Sequence, residues 1–392
     1  MAYLAKGTEL MKLRNLSFKE FADKVKAEKK KIVVYGAGMI GQIVVPDIIQ
    51  RFLLEENLYC FIDADTSKWS EKIKISGYSY EIKGIQDLIE YCSKQHNIVM
   101  LVSNSQFYSV IANLDSIQEL DNIEAYLVPV MQITEMKNMR SEPPAKFSEK
   151  ALIPKVIHYC WFSGKKMPDT FKRCIESWKK YCPDYEIIRW DESNYDINKN
   201  LYMKQAYENE KWGFVPDFAR LDILYHYGGI YLDTDVELIR NLDDLLYQEA
   251  FCGVEKWGNI NLGGCSGAIP NHPMIKKILE ERKELQFVKD DGNLNLETCG
   301  VYETRPFVRA GMHVNNRTQQ INDMMVYSSD YFHPYDYMSG QILMTENTFS
   351  IHHFNGGWLD DKSRKQRQKT LEQYEQILKR METVKYGRKK CE

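Results

Sequence analysis

Two series of alternating strands and helices constrain the fold of this chain more than any other feature of its sequence. In the first series, apolar runs of strand length lie at Lys31–Tyr35, Leu58–Ile62 and residues 97–102. Helix-like stretches separate them, one reaching Leu54 and another at residues 82–92. Strands that alternate with helices in units of roughly 30 residues are typical of a doubly wound parallel sheet. The sequence therefore predicts a Rossmann-like α/β domain.

A second series begins at residues 153–162 and predicts a separate α/β domain. It continues with a helix at Asp169–Tyr181, a strand at residues 185–190, a helix at 217–227 and a strand at 230–232. The pair Pro143-Pro144, in a stretch with few apolar residues, indicates a linker between the two series. We therefore predict five segments: an N-terminal helical segment at 1–30, the Rossmann-like domain at 31–140, a linker at 141–152, the second domain at 153–360 and a basic C-terminal helix at 361–392.

The composition excludes several classes of protein. Of the 392 residues, 44% are hydrophobic, which favours packed domains over global disorder. The net charge of −3 does not suggest a nucleic-acid-binding protein. No apolar stretch reaches the ~18 residues of a membrane-spanning helix, and the residues after Met1 do not read as a secretory signal. The nine cysteines include no CxxC pair, which favours reduced thiols and a cytoplasmic location.

A glycine loop follows the first strand. Gly36, Gly38 and Gly41 have the spacing of a loop in which a strand, a tight turn and a helix N-terminus approach a phosphate. Asp63 ends the next strand, at the position where a carboxylate could bind a ribose. Residues 61–68 resemble the small Rossmann-like domains attached to bacterial sugar-modifying enzymes. Three readings stay open: binding of a nucleotide or nucleotide sugar, a structural or docking role, and NAD-dependent redox chemistry.

Two carboxylates at the end of a strand are the most informative feature of the second series. Gly228 and Gly229 allow a sharp turn, an apolar strand follows, and Asp233 and Asp235 come directly after it. Carboxylate oxygens are hard ligands suited to Mg²⁺ or Mn²⁺ and to the diphosphate that such an ion binds. Asp-x-Asp is common by chance, so the motif indicates a metal site only where the surrounding residues also fit one.

That context resembles a known family. Asp217 and Arg220, three residues apart at the start of a helix, precede the glycines and the two carboxylates. The string is similar to the Asp-x-x-Arg…Gly-Gly-x-Tyr-x-Asp-x-Asp signature of glycosyltransferase family 32. That family includes bacterial capsule and exopolysaccharide sugar transferases, fungal mannosyltransferases and the glucosyltransferase domain of large clostridial toxins. The resemblance covers roughly residues 153–360 and implies a GT-A-type fold for them.

Further strings carry the resemblance. The opening strand ends in Trp161, which the resemblance assigns to stacking on the base of the donor, with core packing as the alternative. Near the end, His352, His353 and Trp358 resemble a string in which one histidine completes a metal site and the tryptophan lies near the diphosphate. We favour His353 as the ligand, because neighbouring residues of a strand face opposite sides and His353-Phe-Asn-Gly resembles the His-x-x-Gly of related transferases.

Two residues are weaker candidates for the donor-sugar site, and the chain departs from the family's pattern at two positions. Asn261 and Ser266 lie in a glycine-rich stretch that resembles the family's donor-sugar side. The chain has Pro216 where the family often has serine, and Gly357 where it often has the serine of Gly-Ser-Trp. A hydroxyl contact to metal or phosphate is therefore missing here.

The resemblance implies a metal-dependent, retaining sugar transfer. In it, Asp233 belongs to the metal site and contacts the donor ribose or a metal-bound water, and Asp235 binds the ion directly. Asp217 and Arg220 hold sugar hydroxyls. The cofactor is Mn²⁺ or Mg²⁺, with Mn²⁺ favoured by an imidazole ligand. The donor is a nucleoside-diphosphate sugar, with UDP favoured, and the acceptor is a hydroxyl of a polysaccharide or a lipid-linked saccharide. The alternative is a nucleotide-sugar or NAD-binding oxidoreductase or sensor in which the first domain is the active part.

The basic tail bears on location. Residues 361–392 carry eleven Lys or Arg against five acidic residues, a surplus that favours weak peripheral contact with an anionic inner membrane face. Its apolar stripe is expected to pack on the transferase domain: Leu371, Tyr374, Leu378 and Met381. No nucleic-acid partner is expected, and a homo-oligomer is left open.

Overall fold

The computed structural model describes residues 10–94, 97–355 and 361–386, with only the backbone at 361, 363 and 382–386. The chain divides into two compact units. The first comprises residues 1–138 and 365–392, and the second comprises residues 139–364.

The first unit is a seven-stranded sheet with helices between its strands. The strands are β1 (Lys12–Arg14), β2 (Lys31–Tyr35), β3 (Leu58–Ile62), β4 (Lys72–Ile75), β5 (Tyr78–Lys83), β6 (Ile98–Val102) and β7 (Glu124–Leu127). The helices are α1 (Phe18–Ala27), α2 (Val45–Arg51), α3 (Ile85–Lys94), α4 (Phe107–Leu114) and α5 (Val128–Lys137). The strand order is β1-β7-β6-β2-β3-β5-β4, and every pair is parallel except β4 with β5.

Burial explains why these runs form central strands. Every residue of β6 is buried, as are Ile32, Val33 and Val34 of β2. Continuous apolar runs are typical of parallel strands that are covered on both faces. The glycine loop leaves β2 where the chain order reverses between β3 on one side and β6 on the other, which is the position of ligand sites in open α/β sheets.

Two local predictions for this unit are wrong. Residues 1–30 are not helical throughout, because β1 precedes α1 and pairs with β7. The helix expected at 82–92 begins only at Ile85, because Ile82 and Lys83 complete β5 and Gly84 separates strand from helix. The three residues of β1 are too few for a periodicity to be read.

The second unit is built on a mixed sheet of its own. The strands are β8 (Val156–Cys160), β9 (Glu186–Trp190), β10 (Gly229–Tyr231), β11 (Val236–Leu238), β12 (Ala250–Val254), β13 (Ile260–Asn261), β14 (Ser266–Ala268), β15 (Gln319–Ile321), β16 (Met324–Tyr327), β17 (Tyr335–Asp336), β18 (Gln341–Ile342) and β19 (Ser350–His352). The helices are α6 (Asp169–Tyr181), α7 (Leu201–Glu208), α8 (Pro216–Tyr227), α9 (Pro273–Lys283), α10 (Cys299–Arg309) and α11 (Ser329–Phe332), and α12 (Asp361–Tyr386) follows.

The sheet order is β15-β16-β12-β14-β10-β8-β9, with β13 paired to β12. Strands β9, β8 and β10 are parallel, and β14 runs antiparallel between β10 and β12. Strands β11 and β19 form a separate antiparallel pair beyond the end of β10. The predicted α/β class, a parallel-sheet domain followed by a second α/β domain, is confirmed.

Helix α8 and the glycines after it place the site. Pro216 starts the helix, where its missing N–H costs no hydrogen bond. Buried side chains cover α8 on nearly all sides, so the helix lies inside the unit. Gly228 ends it at φ +65°, and an added Cβ there would lie 2.7 Å from Pro270 Cδ and 2.8 Å from the Ala268 carbonyl oxygen. The chain therefore turns directly from α8 into β10 and reaches Asp233 within one short strand.

The C-terminal helix packs with the first unit, so its expected docking on the transferase domain is wrong. Arg380 forms an ion pair with Asp115 and donates to the Met11 carbonyl oxygen at 2.6 Å. Tyr374, Ile377 and Met381 are buried. Of the described helices, none is long and apolar enough to span a bilayer. Peripheral membrane contact through the basic residues stays a prediction.

We predict that Arg380→Met loosens α12, because the change keeps the aliphatic stem and removes the guanidinium that binds Asp115. Hydrogen bonds to charged groups contribute about 1.5–3 kcal/mol. Amide hydrogen exchange across residues 361–386 should accelerate by about tenfold or more, whereas the exposed control Lys369→Met should leave it unchanged. Equal exchange in both variants would show that the ion pair does not hold the helix.

Candidate active site

The turn between β10 and β11 carries the two carboxylates of the sequence motif. Asp233 donates its backbone N–H to the Gly263 carbonyl oxygen at 2.8 Å, which ties the turn to the glycine-rich stretch. Strand β11 pairs with β19 so that Val236 lies opposite His352. Helix α6 supports this pair from one side, because the Trp178 indole N–H donates to the Val236 carbonyl oxygen at 2.8 Å. The pairing brings His352 beside Asp235.

Asp233, Asp235 and His352 form a cluster that could hold a metal ion. Each offers one ligand atom, and these atoms lie within 4.8 Å of one another. His352 Nε2 is 3.3 Å from Asp235 Oδ1, and Asp235 also accepts the Asn355 backbone N–H at 2.9 Å. Burial raises the pKa of Asp235, but His352 and the Asn355 N–H outweigh it and lower that pKa to about 2. Asp235 is therefore ionised at neutral pH.

The donor atoms of the cluster fit a divalent cation. Two carboxylates and an imidazole suit Mn²⁺, since oxygen ligands alone would favour Mg²⁺ or Ca²⁺. His352 is 6% exposed, and its Nδ1 has no hydrogen-bond partner in the described part of the chain. A buried imidazole nitrogen without a partner is costly unless a ligand satisfies it.

His353 is not the third member of this cluster, so our preference for it was wrong. Its Nε2 lies 2.9 Å from Glu237 Oε2, away from Asp233. Its backbone N–H donates to the Asp235 carbonyl oxygen at 3.1 Å. His352 is the last residue of β19 and His353 follows the strand, and the pairing with β11 brings His352 to the carboxylates.

Asp217 and Arg220 lie together beside the cluster. Both side chains are 3% exposed, and Arg220 Nη2 donates to Asp217 Oδ1 at 3.1 Å. Arg220 also approaches Asp233, with Nη2 3.5 Å from Oδ1. The Asp-x-x-Arg and Asp-x-Asp motifs, which are separated along the sequence, therefore form one charged group around Arg220.

The sequence reasoning missed three residues of this group. Arg282 of α9 forms an ion pair with Asp217 at 2.6 Å, Glu303 of α10 lies 3.7 Å from Arg220, and the Tyr231 hydroxyl donates to Asp233 Oδ1 at 3.2 Å. Tyr231 stands in the recognised signature and could have been found there. Arg282 lies in a Lys- and Glu-rich helix that is typical of exposed surface, and no local pattern marks it or Glu303.

The glycine-rich stretch approaches the carboxylates through its backbone. A Cβ added to Gly263 would lie 2.1 Å from Asp233 Oδ2, so no larger residue fits there. Asn261 holds this turn, since its Oδ1 accepts the Gly264 N–H at 3.0 Å and its Nδ2 donates to Glu255 at 2.8 Å. A contact of Asn261 with the donor sugar stays a prediction. Ser266 was assigned wrongly: it is 0% exposed, and its hydroxyl donates to the Leu262 carbonyl oxygen.

Trp161 follows β8 at the same edge of the sheet as the end of β10. The ring is half-buried, packs edge-on against Phe171 with centroids 5.7 Å apart, and donates its indole N–H to the Lys165 carbonyl oxygen at 2.8 Å. It is not a core residue, and its stacking on a base stays a prediction. Trp358 lies outside the described residues.

In the first unit, the glycine loop has the close contacts that its spacing predicts. Gly36 adopts φ +109°, a Cβ on Gly41 would lie 2.0 Å from the Gly36 carbonyl oxygen, and Gly38 faces open space. Asp63 accepts the Ala37 N–H at 2.7 Å and lies 3.1 Å from Lys68 Nζ. Asp63 therefore stabilises the loop, and nucleotide binding here stays a prediction.

We predict that His352→Ala weakens Mn²⁺ binding by at least about tenfold, because a ligand is lost, whereas His353→Ala leaves binding within about threefold. Isothermal titration calorimetry with Mn²⁺ alone compares the two variants. A larger loss in His353→Ala than in His352→Ala would return the metal site to His353.

Comparisons with known proteins find similarity to glycosyltransferases. Residues 168–252 match the family model described as the glycosyltransferase sugar-binding region containing DXD motif. The chain is 34% identical over 137 residues to mannosyl phosphorylinositol ceramide synthase SUR1 of Saccharomyces cerevisiae, covering 34% of this chain and 35% of that one. It is 27% identical over 166 residues to inositol phosphoceramide mannosyltransferase 2 of Schizosaccharomyces pombe, covering 39% and 43%. The chain thus spans less than half the length of these relatives.

Among solved structures, the chain is similar to a glycosyltransferase involved in the glycosylation of the major capsid of PBCV-1. The identity is 12%, the TM-score is 0.31, and the match covers 56% of this chain and all of that one. The matched family region, by contrast, contains Asp217, Arg220, Asp233 and Asp235. The Asp-x-x-Arg and Asp-x-Asp motifs therefore lie within a region that is similar to the DXD-containing glycosyltransferases.

Proposed function

We propose that this protein is a metal-dependent, retaining hexosyltransferase. It moves a sugar from a nucleoside-diphosphate sugar, a UDP-sugar, to a hydroxyl of a growing polysaccharide or a lipid-linked saccharide. The observation that supports this most is the cluster of Asp233, Asp235 and His352. It lies beside the buried pair of Asp217 and Arg220, with Arg220 Nη2 3.5 Å from Asp233 Oδ1. A divalent ion bound by this cluster would neutralise the charge that develops on the leaving diphosphate.

The protein's own residues bind and orient the donor. Asp235 and His352 hold the ion, and Asp233 contacts the ion or the ribose. Trp161 stacks on the base at the end of β8. Asp217 and Arg220 hold sugar hydroxyls through the part of their side chains that is exposed, which is 3% of each. Because Arg220 is fixed by ion pairs inside the protein, it needs little reorganisation when charge develops in the transition state.

The relatives support the acceptor class. Two of them are named for mannosyl transfer to inositol phosphoceramide, a lipid that carries a sugar-like alcohol. A lipid-linked hydroxyl acceptor for this chain is consistent with that. The alternative oxidoreductase is not favoured, because the matched family region and the metal-binding cluster both lie in the second unit.

We predict that Asp235→Asn abolishes Mn²⁺-dependent release of nucleoside diphosphate from a panel of UDP- and GDP-sugars. The loss should be about a hundredfold or more, because one ligand charge is removed. The matched control is Asp290→Asn at an exposed position, which should keep full turnover. Near-native turnover of Asp235→Asn with unchanged Mn²⁺ dependence would rule out the metal assignment.

We also predict that Trp161→Ala raises the donor KM by about 5- to 150-fold, since base stacking contributes about 1–3 kcal/mol. Trp161→Phe retains a ring and should recover part of the loss. Thermal unfolding is measured in parallel. A large drop in Tm with an unchanged donor KM would show that Trp161 only packs within the fold.

A further inference from the structure

Glu303 is a buried carboxylate that the proposed function leaves without a role. It lies on α10 and is 1% exposed. Its Oε2 accepts the Leu262 backbone N–H at 2.9 Å. Its Oε1 lies 3.7 Å from Arg220 Nη1 and has no hydrogen-bond partner in the described part of the chain. Oε2 therefore holds the glycine-rich turn, and Oε1 lies near the guanidinium of Arg220.

Arg220 depends on carboxylates that have other partners. Asp217 is shared with Arg282, so two guanidinium groups bind one buried carboxylate. Asp233 lies 3.5 Å from Arg220 and, under the proposed function, also binds the ion or the donor. A buried guanidinium that loses part of its counter-charge is strongly destabilised. A third carboxylate within reach of Arg220 would offset that loss.

We propose that Glu303 is a positioning residue of the donor site, whose carboxylate neutralises Arg220 and holds the turn at Leu262 so that Asp233 is available to its ligand. This inference rests on the proposed function for the identity of that ligand. Glu303 does not touch the substrate; it acts through Arg220 and through the backbone that packs against Asp233.

The charge of Glu303 changes near neutral pH. The pKa of Glu303 is raised to about 7, mainly by burial. Arg220, the Leu262 N–H and Arg282 lower this pKa, and Asp217 raises it. Two further titratable groups lie near it, Cys299 on its own helix and Cys252 on β12, and burial raises the pKa of both thiols. They stay neutral in this range. Below pH 7 Glu303 is mostly protonated, and Asp217 and Asp233 are then the carboxylates left to Arg220.

The test compares Glu303→Gln with the native chain in Mn²⁺ titration at pH 6 and pH 8. Glutamine can still accept the Leu262 N–H but carries no charge. We expect the variant to bind Mn²⁺ about tenfold more weakly at pH 8 and equally at pH 6. The matched control, Glu280→Gln at an exposed position of α9, should follow the native chain at both pH values. An affinity ratio that is the same at both pH values would overturn the inference.

A second measurement needs neither metal nor turnover. Because the folded-state pKa of Glu303 is above its unfolded value, its protonation stabilises the fold fully below about pH 4.5, and this contribution is lost as pH rises through 7. The urea midpoint of the native chain should therefore fall relative to that of Glu303→Gln between pH 5 and pH 8. Parallel midpoints would show that Glu303 does not titrate in this range, and together with equal Mn²⁺ affinities of the two chains at pH 8 they would overturn the inference.

These outcomes separate the inference from the proposed function. If Asp235→Asn loses Mn²⁺ binding but Glu303→Gln behaves as native at both pH values, the metal site stands and the role of Glu303 fails. If the native chain binds no Mn²⁺, the proposed metal site fails, and the urea comparison still decides whether Glu303 carries the titrating charge. If Glu303→Gln does not fold, the loss at both pH values assigns Glu303 a structural role and overturns the inference.

Discussion

The shared guanidinium of Arg220 is the interaction on which the second unit's site depends. Asp217, Asp233 and Glu303 approach it from α8, from the turn after β10 and from α10. None of these elements could place a lone charge in the interior, because an unpaired buried ion costs several kcal/mol. Arg220 therefore ties α8, the turn that carries the carboxylates and α10 into one arrangement. Burial of this group excludes water and strengthens its electrostatic interactions.

The second constraint is the pairing of β11 with β19. It brings a residue from near the end of the second unit beside the Asp-x-Asp turn, so the metal-binding cluster forms only when distant parts of the chain are in register. A shift by one residue would turn His353 toward Asp235 and His352 away from it. The register, rather than the residue types, decides which histidine can bind the ion.

This contrast explains how much of the site could be predicted from the sequence. Asp217, Arg220, Asp233 and Asp235 were identified because they stand in one continuous signature around α8 and β10. The choice between His352 and His353 depended on a long-range register that alternation alone does not fix. Arg282 and Glu303 contact the site from helices whose sequences show no sign of it. The strand–helix alternation predicted both α/β units, whereas β1 and the docking of α12 depended on contacts between distant segments.

The central claim is that Asp233, Asp235 and His352 hold the divalent ion of a nucleotide-sugar site. Anomalous diffraction from crystals grown with Mn²⁺ and UDP tests it most directly, because the ion's position is measured without assuming any activity. The account predicts a manganese peak within coordination distance of Asp235 and His352, with the diphosphate on its open side. A peak at His353 and Glu237, or no peak at the Asp-x-Asp turn in crystals that contain bound UDP, would contradict it.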